Sequence, residues 1–297
     1  MSAAYSIFDR HALLRHRARA VKLHAGDPAA APDFLLRRVA DDFSDRLALI
    51  KRTFAAAIDL GCQHGGLGRT LASRNAIPFV VSADECAEML DFANAPRTLI
   101  DLEHLPFAAA SADLVVSGLA LQTVNDLPGT LSQIQVTLRP DGLFLAAFVG
   151  GSSLFELRDV LLAAETEVTG GASPRIAPMI DVRDLGTLLQ RARFALPVVD
   201  SDVVTVTYAH PLALLHDLRG MGATNCLIER PRTFLPRAVL QRAFDLYAER
   251  HANADGRIRA TFEILTATGW APHESQQQPL QPGSAKSRLA DALKPPV

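Results

Sequence analysis

One stretch limits what this chain can become: Ala55 to Leu71, AAAIDLGCQHGGLGRTL. An apolar β-type run ends at Ile58-Asp59-Leu60-Gly61, small residues turn from Cys62 to Gly66, and a helical run opens. Strand, glycine turn and helix let a nucleotide-type ligand rest on backbone. Gly61 and Gly65 carry no Cβ to hold a ligand off the turn. The helix that starts near Gly66 aims unpaired N–H groups back at it. The spacing is neither G-x-G-x-x-G nor G-x-x-x-x-G-K-[ST], so it matches neither a dinucleotide fingerprint nor a P-loop. It is D-x-G-x-Q-x-G, with Gln63 at its centre. An ordinary strand-to-helix turn is the alternative.

The rest of the first half repeats the pattern. Phe34 to Phe54 has helical apolar spacing, with Leu35, Leu36, Val39, Phe43, Leu47 and Ile50 on one face. Strands are expected at 78–83, 97–100, 112–118 and 143–148, with a helix over 126–138 and a turn at Arg139-Pro140-Asp141-Gly142. Strand–helix alternation of this kind predicts an α/β fold with a doubly wound parallel sheet, its ligand beyond the C-terminal strand ends. Gly61, Cys62, Gly65, Asp84, Asp101, Leu102 and Gly118 all fall there. Asp84 suits two ribose hydroxyls, or the N-cap of the helix that follows; both roles are compatible. Asp101 can accept from an adenine amino group.

The second half is organised differently. Helices are expected over 154–169 and 182–192, a long β run over 197–208, and a last β run over 260–268. A helical insertion separates the two β runs. The domain reading is an N-terminal helical segment (1–54), a ligand-binding core (55–209), a helical lid (210–255), the last core strand (256–273) and a disordered Gln-, Pro- and Ser-rich tail (274–297).

With 297 residues and 48% hydrophobic content, the chain can build one large core. A net charge of −2 argues against nucleic acid as partner. No apolar run reaches the ~18 residues of a membrane span. Three scattered cysteines make no disulfide framework and no zinc motif, so no metal is expected and the reducing cytoplasm is the expected compartment. The Arg-rich N-terminus is read as a solvated basic helix packed on the domain, with a transit peptide second.

With these residues set out, the chain resembles class I S-adenosylmethionine (SAM) methyltransferases. Within them it is similar to the complex I assembly family, methyltransferase-like proteins whose mitochondrial member is a protein-arginine hydroxylase. Phe8-Asp9-Arg10, Asp59-Leu60-Gly61-Cys62, Leu105-Pro106-Phe107, Asp113 to Ser117, Val124 to Pro128 and Arg139 to Gly142 carry the likeness. Later motifs are more specific: Glu156-Leu157-Arg158, Ala164 to Glu167, Asp184-Leu185-Gly186, Leu218 to Gly222 with Asn225, and Gly269-Trp270 with His273-Glu274-Ser275. The resemblance implies a seven-stranded Rossmann-like sheet whose last strand is antiparallel. It implies SAM as cofactor and a respiratory complex I subunit as protein substrate. Asp59, Gly61 and Gly65 match the family's first motif, Asp84 its ribose acid, and Asp101 with Leu102 its adenine site. Two positions depart. Gln63 replaces a motif glycine, where its side chain either crowds the methionine end of SAM or points to solvent. Gln122-Thr123 replaces a His-Trp pair.

The chemistry is less legible. Methyl transfer needs alignment above all, and no nucleophile motif is present. A guanidinium substrate calls for carboxylates in fork geometry. Glu156, Glu165 and Glu167 are the candidates, with a solvated helix face as the alternative. Asn225 is a further candidate, or an amide that satisfies its own glycine turn. Trp270 is expected to pack in the core. His210, His216 and His273 form no local metal pattern; with acids near them they could still make a nonlocal site. Three readings follow: modification of a protein side chain by methylation or arginine hydroxylation, a non-catalytic assembly chaperone on a methyltransferase fold, and O-methylation of a small molecule or acyl carrier.

Overall fold

The computed structural model describes residues 6–24 and 31–277. Most of the Gln-, Pro- and Ser-rich tail lies outside them. Two helices, α1 (Arg10–Leu23) and α2 (Phe34–Leu49), precede the sheet. The core then runs β1 (Ala56–Leu60), α3 (Gly66–Arg74), β2 (Phe79–Asp84), α4 (Ala87–Leu90), β3 (Arg97–Leu99), β4 (Ala112–Gly118), α5 (Leu127–Thr137) and β5 (Leu138–Val149). It continues with α6 (Phe155–Thr169), α7 (Val182–Arg191), β6 (Ala195–Tyr208), α8 (Pro211–Gly220), α9 (Arg237–His251) and β7 (Ile258–Trp270).

The strands form one seven-stranded sheet in the order β3-β2-β1-β4-β5-β7-β6. β7 runs antiparallel to both of its neighbours, and the pairs from β3 to β5 are parallel. The order reverses at β1–β4, so the two winds diverge there and leave a crevice at the C-terminal ends of those strands. Covered on both faces, β4 and β5 read as continuous apolar runs: Leu114, Val115, Val116, Phe144 and Phe148 are buried. Apolar packing on one face joins α2, α3, α6 and α9; the other face holds α5 and α7.

Three expectations shift. The helix from Phe34 stops at Leu49 rather than Phe54. The turn expected at 139–142 is part of β5, which starts at Leu138 opposite Ala112. Arg139-Pro140-Asp141-Gly142 stays in the ladder because backbone bonds Asp141 N–H to Ala271 O and Ala271 N–H to Gly142 O hold it there; Asp141 takes the strain at φ 63°. The insertion after β6 does two things. Helix α9 lies along α6, whereas α8 and the loop after it turn back to α1.

Candidate active site

The turn after β1 has the geometry its glycines promise. Gly61 and Gly65 sit at φ 66° and 68°, where a side chain is strained. A Cβ on Gly65 would come within 2.7 Å of Ala93, and one on Gly61 would collide with Ala120. Gly118 has a different reason to be glycine: a Cβ there would reach 2.8 Å from Leu36 on α2. The thiol of Cys62 is pushed far above its ordinary range by burial and then by Asp59 and Asp84, so it is no nucleophile.

Asp59 is fully buried and accepts from Gly68 N–H at 3.0 Å, which ties β1 to the first turn of α3. Burial, followed by the nearby Asp84 charge, raises its pKa to about 7, against only partial relief from the Gly68 bond. A raised carboxyl pKa means the folded chain binds this proton more tightly than the unfolded chain does. Stability therefore falls as pH climbs from about 3.8 to about 7, with nothing further lost above that. Asp59→Asn is expected to melt higher than the wild type at pH 8 and to lose that advantage progressively toward pH 4. Thermal melts across that range check this, and an advantage independent of pH overturns it.

Asp84, at the tip of β2, is also fully buried. Its carboxylate accepts from Gln63 N–H at 2.9 Å and Cys86 N–H at 2.8 Å. Asp84 is not the N-cap of the helix that follows: α4 begins at Ala87 behind Cys86 and has no side-chain cap, so the bond to Cys86 braces the turn that precedes it. Asp101 accepts from Glu103 N–H and from Arg10, each at 2.8 Å. Leu102 is buried below it and lies 3.9 Å from where a Gly61 Cβ would stand.

The N-terminal helix packs on the domain as expected and leaves Arg15 exposed, but its basic face is not all solvated: Arg10 and Arg17 reach the acids at the strand tips. Arg10 pairs with Glu85, with Asp101 at 2.8 Å and with Glu103 at 2.9 Å. Arg17 is 6% exposed and stands 3.7 Å from Asp84. The Phe8-Asp9-Arg10 motif explains the placement. Asp9 caps α1 through Ala12 N–H and is bound by Arg230 at 2.9 Å; the Ala12 bond first, and then Arg230, hold its carboxyl down at about 2. Asn125 accepts from the N–H groups of Ile7 and Phe8, and Asp9 N–H bonds to Cys226 O. Three motifs distant in sequence therefore meet at one knot.

Beside the glycine turn lies a cavity of about 550 Å³. Its floor is Gln63, His64, Leu119, Gln122 and Thr123, at the tips of β1 and β4. Its walls come from α2, α6, the 175–179 loop, α8 and the 221–226 loop. The lining is mostly apolar, yet buried polar atoms without a partner lie around it: Arg19 Nε and Gln122 Oε1. Asp33, also in the lining, is ion-paired with Arg37 at 2.5 Å. Unpartnered buried polar atoms are costly in a folded chain and mark places where a ligand completes the bonding. Burial pushes the pKa of His64 down against the pull of Asp33, which favours the neutral imidazole at this floor.

Gln63 does not point to solvent. Its carboxamide nitrogen donates to the carbonyls of Gly118 at 3.0 Å and Leu119 at 3.5 Å. It covers the tip of β4 while its own backbone sits at φ 51°.

The guanidinium-binding candidates are not free. Glu156 is fully buried and accepts from Thr261 Oγ1 at 2.6 Å and Thr261 N–H at 3.2 Å, pinning α6 to β7. Glu165 is buried and held by Arg175 at 2.6 Å and by Ser173, which keeps its carboxyl below the usual range. Glu167 pairs with Arg242. None of the three lines the cavity; Asp33 is the acid that does among the described residues. Asn225 lines it, but its amide donates to Pro174 O and accepts from Leu227 N–H, as a loop-bracing amide would. Trp270 packs opposite Leu143 at the far end of the sheet, away from the site. His210 caps α8 and His273 bonds Ser275; among the described residues no three His, Cys, Asp or Glu side chains converge as a metal site.

Fold and site define a class I methyltransferase, and a methyltransferase-domain family model matches residues 58–146. The chain is 40% identical over 267 residues to "Arginine-hydroxylase NDUFAF5, mitochondrial" of Danio rerio, covering 88% of this chain and 83% of that protein. It is 42% identical to the human protein of the same name over 260 residues, 85% of this chain and 74% of that one. It is also 32% identical over 279 residues to "Malonyl-[acyl-carrier protein] O-methyltransferase" of Methylovorus sp., covering 89% and 88%. The chain belongs to the class I SAM methyltransferase family that holds NDUFAF5. The YcgJ protein of Bacillus subtilis shares the fold, with a TM-score of 0.56 at 12% identity over 80% of this chain and 99% of that one.

The cofactor of this class is SAM, and the groups present suit it. The strand tips around the glycine turn carry the acids Asp84 and Asp101, a carbonyl pair at Gly118–Leu119, an unpartnered Arg17 N–H and the free Gln122 oxygen, donors and acceptors of the kinds that a nucleoside and an amino-acid end call for. One internal competitor, the Gln63 carboxamide, occupies the carbonyl pair.

Proposed function

We propose that this chain binds SAM over the Gly61–Gly65 turn and modifies a side chain of a protein, a respiratory complex I subunit, presented in the adjoining cavity. What carries the reading is continuity: the cavity floor is the glycine turn itself, with Gln63 and His64 shared between the two. Likeness to NDUFAF5 over most of both chains supports an arginine side chain as the target. Bound SAM supplies a methyl group on a sulfonium. The chain's own part is to exclude water with the apolar walls and to hold the target side chain against the glycine turn at Gln63 and His64. No helix among the described residues is long and apolar enough to cross a membrane, so contact with a membrane-bound complex would run through the partner.

Calorimetric titration with SAM, followed by intact-mass measurement of the partner subunit with and without this protein, tests the reading. Methyl and oxygen differ in mass, so the same measurement names the group transferred. Folded protein that binds no SAM defeats the proposal and leaves the assembly-chaperone reading in front. Gln63→Gly is expected to bind SAM on the order of five- to tenfold tighter, because about 1 kcal/mol of carboxamide–carbonyl bonding no longer has to be broken first. Unchanged affinity would show that Gln63 does not compete.

A second reading, O-methylation of an acyl-carrier carboxylate, has one observation in its favour. Arg19 and Arg219 line the cavity and repel each other, and Arg19 Nε is unpartnered, so an anionic group would be welcome between them. Methyl-ester formation on an acyl-carrier substrate decides it.

A further inference from the structure

Arg17 poses a question that the ion pair with Asp84 does not answer. Its side chain is almost wholly buried, yet its Nη1 group donates to nothing among the described residues. Asp84 is 3.7 Å away, beyond hydrogen-bond reach, and its two oxygens already accept from Gln63 and Cys86. A buried guanidinium left with an unused N–H is costly, because charged donors lose most when desolvated without an acceptor. Structures keep such a group when an anion completes it.

Its position is held from behind. Gly222, at φ 74° in the loop after α8, presses on the Arg17 backbone so closely that a Cβ there would lie 3.2 Å from Arg17 Cα. The stem is thus clamped between α1 and the loop, and the head is set against the β1 and β2 tips, near enough to Cys62 and Glu85 for its charge to act on both. An arginine placed this way is preorganised for a carboxylate. SAM carries one carboxylate, on its methionyl end.

We propose that Arg17 receives the carboxylate of the cofactor's methionyl end, which rests on SAM being the ligand of this groove. Arg17 then serves two anions at once: the fixed Asp84, which keeps the guanidinium at the tip of β2 when no ligand is bound, and the mobile carboxylate that uses the spare N–H. An ammonium alone finds acceptors at Gly118 and Leu119, so it is the carboxylate that makes Arg17 necessary.

The test compares SAM with decarboxylated SAM (S-adenosylmethioninamine), which differs only in lacking that carboxylate. Both are titrated calorimetrically into the full chain, with Arg17→Gln and Arg17→Lys variants beside it and thermal melts to check folding. The wild type is expected to favour SAM by on the order of ten- to a hundredfold, the range of a charge-assisted bond. Arg17→Gln is expected to bind the two ligands alike, and Arg17→Lys to recover part of the preference. Equal binding of both ligands by the wild type overturns the proposal, as does a preference that survives in Arg17→Gln. Equal weakening of both ligands in Arg17→Gln with the ratio kept assigns Arg17 to Asp84 alone. Should Arg17→Gln not fold, the wild-type ratio and its narrowing in Arg17→Lys still decide. A wild type that binds neither ligand defeats the cofactor reading, and this inference with it.

Discussion

Asp84→Ala is expected to lose SAM binding by on the order of a hundredfold or more. Two ribose hydroxyls on one carboxylate amount to two charge-assisted bonds, each about 1.5 to 3 kcal/mol when the acceptor is removed. The same change costs stability, because Asp84 does structural work as well. Its removal strands the N–H groups of Gln63 and Cys86 and takes from Arg17 the acid that stands within 4 Å of it. The expected destabilisation is about 3 kcal/mol or more. Asp84→Asn separates the two effects, because the amide oxygen still accepts one backbone bond and the volume is kept. Chemical denaturation and calorimetry on both variants give the answer. An Asp84→Asn chain that folds and binds SAM as tightly as wild type would remove Asp84 from the cofactor site.

The second large effect lies away from the ligand. Glu156→Ala is expected to cost about 3 to 4 kcal/mol of folding stability. The fully buried carboxylate is the partner of both polar groups of Thr261, and its loss leaves an N–H and a hydroxyl unpaired next to a new void. Glu156 also stands in the first turn of α6, where the helix dipole favours a negative charge. The transition midpoint in denaturant should fall with its slope unchanged, while SAM affinity of the folded fraction stays as in wild type. A change below about 1 kcal/mol would contradict the bracing role. Loss of SAM binding in folded protein would return Glu156 to the site, where sequence spacing had put it.

Much of the fold was readable in the chain because it is written in short-range pattern. The apolar run into Asp59-Leu60-Gly61, the glycines behind it and the helix that follows are one local unit, and β4 shows its burial on both faces as an unbroken apolar run. The positions of Asp84 and Asp101 were readable for the same reason: both stand at strand tips that the alternation of strand and helix already defines. Even the 139–142 segment follows local turn propensity, and was misread only because ladder bonds to Ala271 overrode it.

What the sequence by itself determined, then, is the doubly wound sheet and the ends of the strands where a ligand sits. Tertiary structure alone decided what faces that ligand. Helical spacing marks Glu156, Glu165, Arg10 and Arg17 all as polar positions, and polar spacing carries no information on whether a charge meets water or a distant partner. Thr261 buries one of these, Arg175 ties down another, and the acids at the tips of β2 and β3 draw α1 across the groove. The reason is physical: hydrophobic periodicity is set by near neighbours, whereas a buried charge is tolerated only where a partner from elsewhere in the chain arrives, and that pairing exists only once the chain has folded.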